Sequence, residues 1–251
     1  MPDGAALEGR YARHLVLPEI GSAGQNRLAA ARVLVVGAGG LGSPVLLYLA
    51  AAGVGQLTIA DDDVVSLSNL QRQVLHATSR LGDPKVASAA DRLADLNPDV
   101  RIVAHPLRVT AATAPILVTG HDLVVDCTDN LAARHLLNRA CVEAGVPLLS
   151  GAIAAWEGQV GLYDPSHGGP CFACVFPETG SRPEQGKGVV GALPGIVGAT
   201  MALEAIKTII GAGASLRGQL LLIDTLWNDR RLVRVARDPA CPVCGREHGI
   251  C

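Results

Sequence analysis

The apolar run Val33-Leu34-Val35-Val36, followed directly by Gly37-Ala38-Gly39-Gly40-Leu41-Gly42, is the stretch that decides the fold. A short strand that ends in a glycine-rich loop and leads into a helix begins the nucleotide-binding unit of an open α/β sheet. The backbone N–H groups of such a loop can bind a phosphate at the helix N-terminus. The stretch therefore predicts a nucleotide site that includes Gly37, Gly39, Gly40 and Gly42.

Alternating strands and helices are predicted on the C-terminal side of this loop. The helices are expected at 42–52, 85–96 and 130–144, and the strands at 32–36, 56–60, 100–104, 123–125 and 146–149. This alternation predicts an α/β fold with a doubly wound, largely parallel, Rossmann-like sheet whose ligands bind outside the carboxyl ends of the strands. We expect four residues to face that crevice: Gly37, Asp61, Asp129 and Ser150.

Other segments flank this alternating region. Residues 1–31 predict an N-terminal helical arm, and a C-terminal antiparallel extension is predicted from strands at 159–163, 219–224 and 232–236 with a long helix at 195–210. Residues 175–194 are rich in glycine and proline, which predicts a loop that crosses the crevice. The chain has 251 residues, is 49% hydrophobic and contains no low-complexity linker, so residues 1–251 are predicted to form one domain.

Composition argues against two classes of partner. A net charge of −2 gives no basic field for nucleic acid, and 3% aromatic residues leave few side chains for base stacking. The apolar tract at 188–203 is uncharged over 16 residues, but it is interrupted by glycine and proline and is too short for a membrane span. Residues 1–30 contain no apolar signal-peptide core. We therefore expect a cytoplasmic protein that binds neither nucleic acid nor a membrane.

A polar stretch after the second strand identifies the nucleotide as a triphosphate. Asp61 follows Gly42 by 19 residues, close to the spacing at which an acidic side chain meets a ribose hydroxyl. A hydride-transfer cofactor has no use for Asn, Gln and Arg together beyond its ribose, whereas phosphate oxygens accept hydrogen bonds from amides and from the guanidinium fork. The predicted phosphate-binding residues are Ser68, Asn69, Gln71, Arg72 and Gln73.

Lys85 and Asp129 are predicted to complete the site, each with an alternative. Lys85 lies in the first turn of a predicted helix, where a cation opposes the helix dipole unless it binds an anion. The alternative is a solvated surface lysine. Asp129, with Asn130 beside it, follows a strand end, where a carboxylate can hold the Mg²⁺ of a nucleotide triphosphate. The alternative for Asp129 is a helix N-cap.

Two C-x₂-C pairs predict a metal site. Cys171, Cys174, Cys241 and Cys244 supply four thiolates, which close a tetrahedral coordination sphere and make a bound Zn²⁺ structural. The 66 residues between the pairs exceed the length of a compact finger, so the zinc should fasten the C-terminal tail to the rest of the domain. The alternatives are disulfides or replacement of one cysteine by His248. Cys127 and Cys141 are predicted to be core thiols.

Together these motifs resemble the ubiquitin-activating-enzyme-like adenylyltransferases, the family of MoeB, ThiF and HesA, and most closely its MoeB-like members. They occur in one order along the chain: Arg10-Tyr11-Ala12-Arg13-His14, the glycine loop, residues 66–73, Gly82-Asp83-Pro84-Lys85, Asp126-Cys127-Thr128-Asp129-Asn130 and the two cysteine pairs. The resemblance implies ATP-dependent adenylation of the C-terminal glycine of a ubiquitin-like sulfur carrier ending in Gly-Gly. Pyrophosphate is released, and the pathway is that of molybdopterin, thiazole or a related thio-metabolite.

The resemblance also implies roles for individual residues. Asp61 would hold the ribose, Asp129 would hold Mg²⁺, and Arg13 would reach the triphosphate of the neighbouring subunit in a homodimer. The phosphates would be held by Asn69, Arg72 and Lys85. Residues 175–194 contain no cysteine, unlike members that form a thioester or persulfide in the crossing loop. Sulfur is expected from a separate donor, a cysteine desulfurase or a sulfurtransferase.

Three other functions remain open at this point. A nicotinamide-dependent oxidoreductase would explain the glycine loop and Asp61, but it leaves Arg72, Lys85 and the cysteine pairs without a role. A non-catalytic scaffold, like the inactive half of a heterodimeric activating enzyme, usually lacks the phosphate-binding residues that this chain retains. A dehydratase acting on a modified tRNA base shares the fold and the use of ATP, and the low positive charge disfavours it.

Overall fold

A computed structural model describes residues 9–178 and 188–245. Its strands are β1 Arg32–Val36, β2 Gln56–Ala60, β3 Arg101–His105, β4 Leu123–Asp126, β5 Leu148–Ala154, β6 Glu157–Tyr163, β7 Gln219–Asp224 and β8 Asp229–Arg234. They form one eight-stranded sheet in the order β3-β2-β1-β4-β5-β6-β7-β8. Strands β1 to β5 pair with one another in parallel, whereas the pairs β5–β6, β6–β7 and β7–β8 are antiparallel. The predicted fold class is confirmed.

Helices cover both faces of this sheet. They are α1 Ala12–Leu15, α2 Gly21–Ala30, α3 Gly42–Ala51, α4 Lys85–Leu96, α5 Thr113–Val118, α6 Leu131–Ala144, α7 Phe172–Val175 and α8 Leu193–Ile210. Alternate residues of β1 enter different cores: Val33 and Val35 pack with α2, α3, α4 and α8, whereas Leu34 and Val36 pack with α5, α6 and α7. Side chains of successive strand residues point to opposite faces, so this two-sided burial follows from the apolar run itself.

Helix α8 is the longest helix among the described residues and belongs to the first core. It packs on α3, β5 and β6, and its Leu193, Val197 and Met201 are fully buried. Two strand glycines make this packing possible, because a Cβ at Gly151 would lie 2.3 Å from Met201 Sδ and one at Gly158 would lie 2.3 Å from Val197 Cγ2. By length and composition alone α8 could cross a membrane, but half of it is buried inside the fold.

Some predicted boundaries are wrong. Strand β5 begins at Leu148, not at residue 146, and continues to Ala154. Ser150 is therefore an internal strand residue, and it is buried with its hydroxyl donating to Asp126 Oδ2 at 2.6 Å. The expected exposure of Ser150 to the crevice is wrong. Strand β8 begins at Asp229, three residues earlier than expected.

The N-terminal arm and the crossing loop are only partly described. The arm contains α1 and α2, and Tyr11 fastens it to the domain by accepting a 2.8 Å hydrogen bond from Asn97 Nδ2. Within the predicted crossing loop, Val175 ends α7 and Leu193 begins α8. Residues 179–187 lie outside the described part of the chain. At the far side of that gap, Val190 N–H donates to Ala155 O in the β5–β6 turn at 3.1 Å.

Candidate nucleotide site and cysteine cluster

The glycine loop lies at the switch point of the sheet. Strand β1 pairs with β2 on one side and with β4 on the other, so Val36 is level with both Ala60 and Asp126. Gly37 follows with φ +95°, and a Cβ there would lie 2.7 Å from the Cys127 carbonyl oxygen. A Cβ at Gly42 would lie 1.9 Å from the Gly37 carbonyl oxygen. Only glycine fits these two positions, which is what a loop that brings backbone close to phosphate requires.

Asp61 connects the end of β2 to the glycine loop. Its Oδ2 accepts the Ala38 N–H at 2.7 Å, and its Oδ1 accepts the Asp63 N–H at 2.8 Å. Burial raises the pKa of the Asp61 carboxyl, while the two backbone donors and the charge of Lys85 act in the opposite direction. The structure thus brings Asp61 to the glycine loop, and its contact with a ribose stays a prediction.

His76 supports the same loop and was missed by sequence reasoning. Its Nε2 lies 2.8 Å from Ala38 O, and its Nδ1 lies 2.9 Å from Ser88 Oγ on α4. Because a carbonyl can only accept, Nε2 carries the proton and Nδ1 accepts from Ser88. Burial lowers the pKa of His76, which favours this neutral form. Its contacts join residues far apart in the chain, and no local pattern marks it.

The predicted phosphate-binding residues form a short structured segment over the loop. Arg72 Nη2 donates to Asn69 Oδ1 at 2.9 Å, and Arg72 Nη1 donates to Ser68 O at 3.3 Å. A Cβ on Gly39 would lie 3.3 Å from Gln73 Nε2, and one on Gly40 would lie 3.8 Å from Arg72 Cγ. Arg72 and Gln73 are therefore brought to the glycine loop as predicted.

Two members of the predicted set differ in their surroundings. Gln71 lies against Gly191, where a Cβ would be 2.4 Å from the Gln71 carbonyl oxygen. It therefore contacts the segment before α8. Gln73 is 5% exposed, and its Oε1 has no hydrogen-bond partner among the described residues. A buried amide oxygen without a donor is costly, so Gln73 is positioned to receive one from a ligand or a water.

Lys85 is not a solvated surface residue, so that alternative is wrong. Its side chain is 4% exposed, and Nζ lies 2.8 Å from Asp63 Oδ2. A backbone hydrogen bond joins the same two residues, since the Lys85 N–H donates to Asp63 O at 2.9 Å. Asp63 is 65% exposed and keeps its hydration. A buried cation with one solvated partner is suited to a second, anionic partner such as a phosphate.

Asp129 is not a helix N-cap. The N-cap of α6 is Asn130, whose Oδ1 accepts the Ala133 N–H at 2.9 Å. Asp129 is exposed and lines a cavity of about 850 Å³ that extends over β5, β6 and β7. Its carboxylate is thus open to solvent, as expected for a group that binds a hydrated Mg²⁺.

A buried carboxylate beneath Asp129 was also missed. Asp126 is fully buried; its Oδ1 accepts from the Thr128 N–H and hydroxyl, and its Oδ2 accepts from Ser150. Arg134 Nε lies 3.7 Å from Asp126 Oδ2. These contacts fix the turn that presents Asp129. Arg13, by contrast, is exposed on α1 and contacts none of these site residues in the described part of the chain.

The four predicted metal ligands converge. Their sulfur atoms all lie within 4.8 Å of one another, and the shortest separations are 3.4, 3.6 and 3.8 Å. Sulfurs bound tetrahedrally at about 2.3 Å from zinc lie about 3.8 Å apart, whereas a disulfide is about 2.05 Å long. The cluster fits zinc and contradicts the disulfide alternative. His248 lies outside the described residues. Cys127 and Cys141 are buried core thiols, as predicted.

The surroundings of the cluster also suit a cation. Asn138 Nδ2 lies 3.6 Å from Cys171 Sγ, and the Asp238 N–H points at Cys174 Sγ at 3.5 Å. Such donors stabilise metal-bound thiolates. Burial raises the pKa of the Cys171 thiol and raises that of Cys174 to about 11. At neutral pH these thiols need a bound metal to become thiolates.

Buried histidines predict that the fold loses stability in mild acid. Burial lowers the pKa of His121, whose Nε2 pairs with Thr58 Oγ1 at 2.8 Å and whose Nδ1 has no partner among the described residues. The unfolded chain then binds the proton more readily than the folded protein. This stability contribution is complete above the unfolded pKa of about 6.5 and is lost as the pH falls towards the folded pKa.

Urea unfolding at about pH 7.5 and about pH 5.5 measures the effect. The wild-type free energy of unfolding should decrease between the two values, and His121→Asn should show a smaller decrease. Comparing the two proteins isolates the contribution of His121 to this pH dependence from the contributions of His76 and His135, whose pKa values are also lowered by burial. Equal decreases in both proteins would contradict the prediction.

The chain is similar to known proteins over most of its length. The ThiF family model matches residues 11–243. The chain is 48% identical over 246 residues to a sulfur carrier protein adenylyltransferase of Thermus thermophilus, covering 95% of this chain and 91% of that one. It is 50% identical over 244 residues to the adenylyltransferase and sulfurtransferase MOCS3 of Mus musculus, covering 95% of this chain and 53% of the mouse protein.

Solved structures show the same fold. The structure of E. coli MccB with ATP superposes with a TM-score of 0.84 at 25% identity, covering 97% of this chain and 76% of MccB. The complex of MccB with MccA-N7isoASN gives a TM-score of 0.86 at 24% identity, covering 95% of this chain and 75% of MccB. With a family match over nearly its whole length, the chain belongs to the ThiF family.

Proposed function

We propose that this protein is a nucleotidyltransferase that uses ATP to adenylate the C-terminal glycine of a small ubiquitin-like sulfur carrier, releasing pyrophosphate. The observation that carries the proposal is the convergence of the glycine loop, Asp61, Arg72 and Lys85 at one end of the parallel strands, with Asp129 across the switch point. The similarity to sulfur carrier protein adenylyltransferases supports the choice of substrate.

The residues divide the work of binding ATP. Asp61 accepts the ribose hydroxyls, the loop N–H groups meet the phosphates, and Asn69, Arg72 and Lys85 neutralise phosphate charge. Asp129 would hold Mg²⁺, which would neutralise further charge on the triphosphate.

The carrier carboxylate is already a nucleophile and requires no general base. Its oxygen forms a bond to the α-phosphorus, the bond from that phosphorus to the α–β bridging oxygen breaks, and pyrophosphate leaves with the electron pair. The protein therefore contributes alignment and charge stabilisation. Sulfur from a donor such as a cysteine desulfurase or a sulfurtransferase then attacks the acyl carbon of the adenylate, so that a carbon–sulfur bond forms, the acyl–oxygen bond to AMP breaks and AMP leaves.

ATP–pyrophosphate exchange with a panel of the host's small Gly-Gly-ending proteins tests the proposal. Exchange should occur with at least one carrier and should disappear when its terminal glycine is deleted. Intact-mass analysis should then show carrier plus AMP, without a thiol-cleavable enzyme adduct, because residues 175–194 contain no cysteine. Absence of exchange with every carrier, together with thermal protection by a nicotinamide nucleotide, would favour the oxidoreductase alternative.

We further propose a homodimer in which Arg13 acts on the partner's ATP. Tyr11 and Asn97 hold the arm against its own subunit, while Arg13, two residues later, faces solvent. Mixing Arg13→Ala with Asp129→Ala subunits should restore up to about a quarter of wild-type exchange, since half of randomly mixed dimers are mixed and each has one intact site. No recovery after proven subunit exchange would contradict action in trans.

A further inference from the structure

Arg134 is a buried cation whose hydrogen-bonding capacity is only partly used. It is 9% exposed and lies in the first turn of α6, where a positive charge opposes the helix dipole. One guanidinium nitrogen, Nη2, donates to Thr128 O at 2.6 Å. Nε is buried and has no hydrogen-bond partner among the described residues, and Nη1 donates to none of them either. Burying a cation with unpaired N–H donors costs free energy, so Arg134 is suited to a further hydrogen-bond acceptor.

Asp126 does not satisfy Arg134. The closest approach, from Nε to Oδ2, is 3.7 Å, which is too long for a hydrogen bond. Both oxygens of Asp126 are already used, Oδ1 by Thr128 and Oδ2 by the Ser150 hydroxyl at 2.6 Å. Asp126 therefore neutralises and orients the guanidinium without saturating it. Because Nε is buried, the donors left for an anion that enters from the cavity side are those of Nη1 and the second N–H of Nη2.

The cavity that Arg134 lines indicates which anion enters. The cavity has a volume of about 850 Å³ and runs from Asp129 across the face of β5, β6 and β7. Besides Asp129, the carboxylates of Glu157, Asp224 and Asp229 line it, together with Arg231, whose charge is paired with Asp229. Such walls repel a polyphosphate, yet they can accept hydrogen bonds from the N–H groups of an extended peptide. A peptide that ends in a single carboxylate would match the cavity in both respects, because its N–H groups could donate to the acidic walls and its carboxylate could pair with the buried Arg134.

We infer that Arg134 binds the C-terminal carboxylate of the carrier and holds it beside the Asp129 turn for attack on the α-phosphorus. The inference rests on the proposed function and adds a substrate-binding residue to it. The guanidinium fork matches a carboxylate through two parallel N–H···O contacts, which fixes direction as well as position. Asp126 acts through Arg134 and is a positioning residue.

The test compares a reactive carrier with its C-terminal carboxamide, which has the same shape but no terminal charge. Wild-type protein should bind the acid about 10- to 100-fold more tightly than the amide, the range for a hydrogen-bonded charged group. Arg134→Gln should lose this discrimination, and Arg134→Lys should retain part of it. In both variants the KM for carrier should rise while thermal protection by ATP alone stays at the wild-type level.

Arg139→Gln is the matched control. Arg139 lies on the same helix, is 40% exposed and pairs with Glu178 at 2.9 Å. It should keep the wild-type preference for the acid. An undiminished preference in folded Arg134→Gln and Arg134→Lys would overturn the inference while leaving the proposed function intact. Failure of the wild-type protein to exchange with any carrier would instead remove the proposed function itself.

Discussion

Replacing Lys85 by alanine should lower the rate of adenylate formation by about 100-fold or more, the loss typical for one preorganised charge-stabilising donor, and Arg72→Ala should do the same. In the proposed reaction both residues would supply positive charge near the glycine loop, where the leaving pyrophosphate would gain negative charge. The fold should survive in each case. Removing Lys85 leaves only Asp63, which is 65% exposed and hydrated, rather than a buried unpaired charge.

ATP–pyrophosphate exchange measures this loss, and thermal unfolding checks the fold. Arg108→Ala is the matched control, because Arg108 pairs with Asp62 in the same acidic strand end at 3.0 Å but is 76% exposed. Its exchange rate should stay within about threefold of wild type, as for other exposed ion pairs. Wild-type rates in Arg72→Ala and Lys85→Ala would exclude these residues from the phosphate site.

Breaking the cysteine cluster should have the largest effect on stability. We expect about one zinc per chain, and we expect Cys241→Ser to lose it together with about 3 kcal/mol or more of stability, or about 10 °C in melting temperature. The reason is that Cys171 directly precedes α7 and Cys174 lies within it, whereas Cys241 and Cys244 follow β8, so a metal bound by all four joins two distant parts of the chain.

Metal analysis and calorimetry on the same samples measure both losses. Cys141→Ala, which changes a buried thiol outside the cluster, is the control and should keep the metal while losing less stability. Alkylation of Cys171 and Cys174 in native, fully active protein would show that no metal protects them.

The sequence predicted those parts of the fold that depend on local patterns. Three local patterns were enough for this. The apolar run that begins at Val33 predicts a buried strand, the glycines after it predict a tight loop, and each C-x₂-C pair predicts two metal ligands. The β5 boundary was wrong for a physical reason. Ser150 looked like a strand end because it is polar, but Asp126 accepts its hydroxyl inside the core, and this lets the strand continue.

The rest of the site depends on contacts that sequence spacing does not reveal. His76 joins Ala38 to Ser88 because the sheet brings the ends of β1 and β2 together, and Arg134 approaches Asp126 across the turn between β4 and α6. Burial decided against a solvated surface position for Lys85, and cap geometry decided against a helix N-cap role for Asp129. Lys85 is enclosed, and Asn130 rather than Asp129 accepts the capping N–H.

The shared strand β5 has a consequence for how substrates arrive. It pairs in parallel with β4, on the nucleotide side, and antiparallel with β6, on the cavity side. Many nucleotide-dependent enzymes close two lobes about a hinge. Here such a rotation would break the backbone hydrogen bonds of β5 to one neighbour. The continuous sheet therefore opposes rotation of the two sides about β5. If the proposed function holds, we expect the carrier tail to enter a cavity that is already formed and not to be enclosed by a closing lobe.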